Sequence, residues 1–324
     1  MGKYLLNRLF GIVVSFFGIT VISFFIINLA PGSPTDLQTE LNPRITPEIV
    51  EKLRKHYELD KPVHIRYIKW LKNLASLDFG TSLSPDGRKV IDKIKERLPV
   101  TVLINLLAMI IIVVVSIPLG LYISIHKGKW KERVITVLSF LFYSIPSFWL
   151  AILLILLFGI YFHILPISGL KSINYAQLSS FEKIADIAKH LIIPIIVATV
   201  GGIASFSRYV ASNFDEALKQ DYVTLAKIKG VPNNVVIRKH ALRNALIPVI
   251  TILGLSVPGL IGGSVIFETI FAIPGMGQLF FQSVMARDYP VIMGILVLSS
   301  ILTLLGNLLA DIGYALVDPR IRYR

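Results

Sequence analysis

The chain has 324 residues, 54% of them hydrophobic and 16% charged, against averages of roughly 45–50% and about 25% for soluble domains. With a mean hydropathy of +0.69 this excludes an ordinary soluble protein, and the absence of cysteine excludes disulfides, thiolate metal sites and lipidation through sulfur. The net charge of +13 sits in loops flanking apolar runs, a membrane-orientation pattern rather than a nucleic-acid footprint.

A membrane-spanning helix needs about 20 apolar residues. Six runs qualify: Leu9–Ala30, Val100–Ile125, Val134–Phe162, Leu191–Val210, Leu246–Phe267 and Val291–Val317. The first is too long for a signal-peptide core, and no Ala-x-Ala-like site follows it, so it is expected to stay as an anchor. Between the first two spans, Thr46 can cap a helix that starts at Pro47 and carries Ile49, Val50, Leu53 and Tyr57 as a stripe. Ile65, Ile68, Leu71 and Leu74 predict a second helix, and Val90, Ile91, Ile94 and Leu98 a third that leads into the second span. The expectation is an all-α membrane protein of six transmembrane helices, with a helical extracytoplasmic layer between helices 1 and 2. Helices lying on headgroups without a protein partner are the alternative for that layer. Its divisions are 1–30 (cytoplasmic N-terminus and first span), 31–99 (extracytoplasmic helical loop) and 100–324 (core with five spans).

Lysine and arginine set the orientation. Lys3 and Arg8, then Lys127, Lys129, Lys131 and Arg133, then Arg208 through Arg243, then Arg320, Arg322 and Arg324 fall on one side. Both termini are therefore expected in the cytoplasm, together with the polar loop 212–245. In that loop Leu218, Tyr222, Leu225 and Ala226 share a helical face, Gly230 can end the helix in a left-handed conformation, and Pro232 cannot continue it. A second helical pattern follows Asn233. A helix, a tight break and a helix suit a docking site for a cytoplasmic partner; an amphipathic helix on anionic lipid is the other reading.

Ionisable residues within the spans are scarce. Asp311, near the cytoplasmic end of the last span, suits either a structural pairing or a functional site, and Glu268 suits the entrance to a pathway or a contact with a partner. Gly259 and Gly263 permit close helix approach, and Pro118, Pro146, Pro194 and Pro258 each remove a helix hydrogen bond. The six histidines are scattered, so no zinc spacing or intramembrane catalytic pair emerges, and an enzyme is the remote alternative. A passive channel is another, but a channel has no need of the polar loop.

The loop resembles that of ABC-importer permease subunits. Aligned on Gly230, their general pattern matches only at Ala226, Gly230 and Leu242. The form used by the dipeptide/oligopeptide/nickel branch matches at Gln220 to Val223, Ala226, Lys229, Gly230 and His240 to Ala245. Similar motifs run in order along the chain: Leu29 to Pro34, Asp78 to Ser82, Arg97-Leu98-Pro99 with Thr101, Ser144 to Phe148, Glu268 to Phe271 with Pro274-Gly275, Ala286 to Pro290, and Asp318 to Arg322. The chain resembles the first permease subunit of a dipeptide/oligopeptide importer in the membrane of a prokaryotic cell. That implies the type I ABC-importer permease fold, a second permease subunit, two cytoplasmic ATPase subunits and an extracytoplasmic solute-binding protein. ATP and Mg would then sit on the partner ATPases, since the chain carries no phosphate-cradling Gly-x-x-x-x-Gly-Lys-Ser/Thr run. The resemblance implies ATPase coupling through Asp221, Tyr222, Ala226, Lys229, Gly230, His240 and Arg243. Of these, Lys229, His240 and Arg243 are polar contacts or lipid-facing cations. Nickel, glutathione or a short oligosaccharide are the other substrates within the branch.

Overall fold

The computed structural model describes residues 2–29 and 58–317, with 32, 48, 51, 52 and 55 between them; of 2–7, 250, 255, 257–258 and 309–317 it describes the backbone. The helix expected from Thr46 and the basic tail after 317 lie outside the described residues. Helices follow in the order α1 (Gly2–Leu29), α2 (Val63–Ala75), α3 (Val90–Ile125), α4 (Trp130–Ser144) and α5 (Ser147–Leu154), the last prolonged by a π-wound turn over Ile155–Tyr161. Next come α6 (Ser180–Leu218), α7 (Asp221–Ile228) and α8, which joins Asn233–Val235, π-wound Val236–Leu242 and Arg243–Ala245. The last four are α9 (Ile247–Ser256), α10 (Val265–Ile270), α11 (Met276–Met285) and α12 (Tyr289–Val317). Among the described residues there is no strand.

α3 and α6 form the spine, packed along much of their length. Small residues bring them together, because apolar lipid gives helices no hydrophobic drive to associate and close van der Waals contact must do so. A side-chain carbon at Gly120 would lie 2.5 Å from the Ser207 carbonyl oxygen, and one at Gly202 would lie 2.4 Å from Ile112. Both helices overrun their expected spans. α6, with 39 residues, is about 58 Å long, close to twice the apolar thickness of a bilayer. Its start is fixed by a capping box between Ser179 and Glu182. Pro118 and Pro194 sit inside α3 and α6 without ending either.

Two expected spans are broken. α4 and α5 meet at 94°, at Pro146, whose predecessor Ile145 takes the extended conformation that a following proline demands. The expected span over 246–267 is not one helix. It runs as α9, a 3₁₀ turn over Val257–Leu260, four non-helical residues and then α10. Pro258 lacks a donor, and Gly259, Gly262 and Gly263 have poor helix propensity. Asn105 of α3 satisfies the freed carbonyls, its amide donating to Leu260 O at 2.9 Å and Gly262 O at 3.2 Å, as a break at membrane depth requires. Among the described residues four helices are long and apolar enough to cross a bilayer, five if the bent α4–α5 pair counts as one crossing.

The layer between the first two spans is packed against protein. α2 turns Val63, Tyr67, Trp70, Leu71 and Leu74 toward Phe24 of α1 and Met293 of α12. Ile65 and Ile68, expected on that face, are exposed: the aromatic rings of Tyr67 and Trp70 offer more area to bury, so they set the helix's rotation. Val90 and Ile94 are buried as expected, at the start of an α3 that continues unbroken into the membrane.

Candidate functional site

At one end of the bundle α6 runs on into an elbow made by α7 and α8. A helix only two turns long holds its shape through packing. Val223 and Ala226 of α7 close against Phe214 and Ala217 of α6 and against Val236, Ala241 and Ala245 of α8. The turn between the arms is a Schellman motif: Val231 N donates to Ala226 O at 3.2 Å and Gly230 N to Lys227 O at 3.0 Å. Gly230 has φ +75°, with open space around a would-be side chain. Asp221 opens α7, where its charge favours the positive helix end.

Ala226 therefore looks inward. The apolar side chains that α7 presents to the outside are Tyr222, Leu225 and Ile228, respectively 38, 52 and 77% exposed. Asp221, Lys229, Gly230 and Arg243 are exposed and His240 is half-buried, so the elbow offers an apolar ridge rimmed by charge. Behind it, Asp215 of α6 accepts from Ser124 and pairs with Lys127, which ties α6 to the turn after α3.

Glu268, expected at an entrance, is sealed inside the chain. It is 3% exposed and accepts from Thr101 Oγ1 at 3.0 Å and Gln278 N at 2.8 Å. Thr101 in turn accepts from Met276 N at 2.8 Å. The knot closes on glycines: a side-chain carbon at Gly275 would lie 2.5 Å from the Glu268 carboxylate, and one at Gly263 2.1 Å from Gly277 N. Gly263 thus serves a close approach, though within a break rather than along a helix face. The side chain of Asp311 lies outside the described residues.

A second buried carboxylate stands in the Ala286–Pro290 motif, where the sequence assigned it no role. Asp288, 1% exposed, accepts from Ser82 Oγ, from Leu83 N at 3.1 Å and from Ser84 Oγ at 3.0 Å. It clasps the segment before α3 to the head of α12. Two pairs of motifs that lie far apart in the chain, Thr101 with Glu268 and Ser82 with Asp288, therefore meet in space.

Where the two helix breaks face each other lies a cavity of about 310 Å³, bordered by Asn105, Phe142, Ser147, Gly201, Ser264 and Phe267. None of these was singled out as a site. The available signal was a lone amide, Asn105, in an apolar span, together with the proline- and glycine-interrupted runs near it.

Comparison with known proteins decides what kind of chain this is. Residues 116–323 match the family described as binding-protein-dependent transport system inner membrane component, and residues 1–105 match its N-terminal counterpart. The chain belongs to this family. It is a multi-pass membrane permease, one component of a larger transport system. An oligopeptide transport system permease protein of Bacillus subtilis is 41% identical over 323 residues, covering all of both chains. A dipeptide transport system permease protein from the same organism is 35% identical, covering 99% of this chain and 98% of the relative. An inner membrane ABC transporter permease protein of Escherichia coli O157:H7 is 33% identical, covering 100% of this permease and 99% of the relative. These relatives are named as permeases, not enzymes.

Proposed function

We propose that the permease is one half of the membrane pathway of an ATP-driven importer for dipeptides or oligopeptides, and that the elbow is the point at which an ATPase grips it. The peptide substrate rests on what its relatives are named for. The elbow faces the cytoplasm, as do both termini, in keeping with the lysines and arginines on that side. A second permease subunit completes the pathway, two ATPase subunits bind and hydrolyse ATP, and an extracytoplasmic solute-binding protein delivers the peptide.

The observation that carries the reading is the apolar ridge of Tyr222, Leu225 and Ile228, exposed on an elbow packed onto the end of one long helix. α6 also borders the central cavity at Gly201. The 17 residues from there to Leu218 span about 26 Å of rigid rod, so a sideways push on the elbow reaches the cavity as tilt. Closure of the ATPases then reshapes the space between the helix breaks, where the Asn105 side-chain oxygen and the Ser147 and Ser264 hydroxyls offer hydrogen bonds to a peptide main chain. Switching of this kind is rigid-body motion of helix bundles about a fixed site.

Leu225→Asp combined with Ile228→Asp tests this without touching the buried cluster. The double variant is expected to insert and melt normally, to lose co-purification with its ATPases, and to lose dipeptide uptake. Full co-purification and uptake would overturn the coupling role.

A further inference from the structure

At the end of the bundle opposite the elbow, a cavity of about 380 Å³ opens between α2, the tip of α1, the segment before α3 and the head of α12. Phe24, Trp70, Phe79 and Met293 form its apolar wall, and Arg66 and Tyr289 border it too. Arg66 is half-buried, yet its Nε is sealed from solvent with no hydrogen-bond partner among the described residues. Burial pushes the pKa of this guanidinium down from its usual value. The two carboxylates at the cavity are engaged elsewhere: Glu58 by Lys61 at 3.0 Å and Lys69 at 2.5 Å, Asp78 by Gly80 N at 2.9 Å. That Nε is closed to any occupant of the cavity as well, so what Arg66 offers there is the remainder of its half-buried side chain, which no carboxylate pairs among the described residues.

The depth of the cavity points to the kind of anion that would pair with Arg66. Phe24 and Asn28 are in the last turns of the apolar span Arg8–Leu29, and Tyr289 to Met293 open the span Tyr289–Leu308. Two spans thus meet the cavity where they leave the hydrocarbon. Phe24, Tyr67 and Trp70 cluster there with ring centroids 5.3–6.0 Å apart, the aromatic belt expected at headgroup level. An apolar groove of about 400 Å³ lies beside it, walled by Ile26, Ile27, Phe280, Ile292 and Leu296, and also bordered by Tyr289. An arginine that no carboxylate pairs among the described residues, an aromatic belt and an adjoining apolar groove match the parts of one phospholipid.

We propose that this is a phospholipid-binding site, in which Arg66 holds the headgroup phosphate of an outer-leaflet lipid and the groove beside Tyr289 takes an acyl chain. The planar fork of arginine suits two phosphate oxygens at once. The bound lipid then fills the seam between α1, α2 and α12, so that the first span and the outer layer move as one body with the last span. The proposal rests on the two spans lying in a bilayer and not on the peptide reading, so lipid retention and dipeptide uptake fail independently.

The test uses the assembled importer, purified with its partner subunits, stripped of lipid in detergent and titrated with dioleoylphosphatidylglycerol under native mass spectrometry. Wild type is expected to retain phospholipid on this chain. Arg66→Gln should weaken retention at least about tenfold. Arg66→Lys should weaken it less, because charge survives while the fork is lost. Ile27→Trp, which fills the groove and leaves the cavity intact, should also reduce retention, whereas Lys171→Gln on a distant loop should not. Equal retention by wild type, Arg66→Gln and Ile27→Trp would overturn the proposal. So would displacement of the lipid from wild type by equimolar inorganic phosphate or alanyl-phenylalanine, which would make this a site for a small soluble anion or for a peptide.

Discussion

Replacing Gly230 in a graded series isolates backbone geometry from every other property of the elbow. With φ at +75° and nothing within 4 Å of an added side-chain carbon, the cost of substitution is conformational and not a clash. A left-handed conformation costs an ordinary L-residue roughly 1–2 kcal/mol, asparagine less because it tolerates this region, and a β-branched residue the most. One or two kcal/mol is about a 5–30-fold change in a two-state ratio. The two Schellman hydrogen bonds and the cluster of Val223, Ala226, Val236 and Ala241 form only when the turn closes. The fraction of elbow able to dock should therefore fall in the order Gly, Asn, Ala, Val. Co-purified ATPase per permease and initial dipeptide uptake by whole cells should fall together in that order, while membrane insertion stays constant. If Gly230→Val docked as well as wild type, or if Gly230→Asn were as damaging as Gly230→Val, the turn would not be what shapes the docking element.

Two further outcomes follow from the carboxylates Asp288 and Asp186. Asp288→Ala leaves Leu83 N without its acceptor and strips both serine hydroxyls of theirs, so it should destabilise the purified permease by about 3 kcal/mol. Asp288→Asn, which keeps one acceptor oxygen, should cost less, and thermal melting in detergent distinguishes the two. Asp186, near the start of α6, is held below the ordinary carboxylate range by hydrogen bonds from the Ser172 hydroxyl and amide. Its folded pKa is depressed, so its contribution to stability is present above the unfolded value of about 3.9 and is lost as pH falls through the lower folded value. Melting profiles of wild type and Asp186→Asn should therefore converge as pH drops below 4 and separate above it; a constant gap across that window would refute the assignment.

The spans were legible because about 20 apolar residues in a row admit few other readings. Their continuity was not. A hydropathy window sums over Pro258, Gly259, Gly262 and Gly263 without registering that they remove donors and helix propensity, and the cavity sits at the break so produced. The elbow's turn was readable at Gly230 and Pro232, where local backbone chemistry decides. Which face α7 buries was not readable, since Ala226 and Leu225 are adjacent and only the position of Phe214 and Val236 selects between them. The same holds for α2, where Tyr67 and Trp70 outweigh Ile65 and Ile68. Glu268 and Asp288 lay furthest beyond reach. Their partners, Thr101 and Ser82, stand 167 and 206 residues away, and no local period encodes such a pairing.

The Asp288 clasp has a consequence for biogenesis. Ser82 emerges from the ribosome 206 residues ahead of its acceptor, an interval of roughly 10–40 s at ordinary rates of synthesis. Throughout that time the segment ahead of α3 is unfastened, and only arrival of α12 closes it. A chain truncated before Asp288 would therefore carry serine hydroxyls without their acceptor and an α2 without α12 to pack on, so unfinished copies expose surface that complete ones bury.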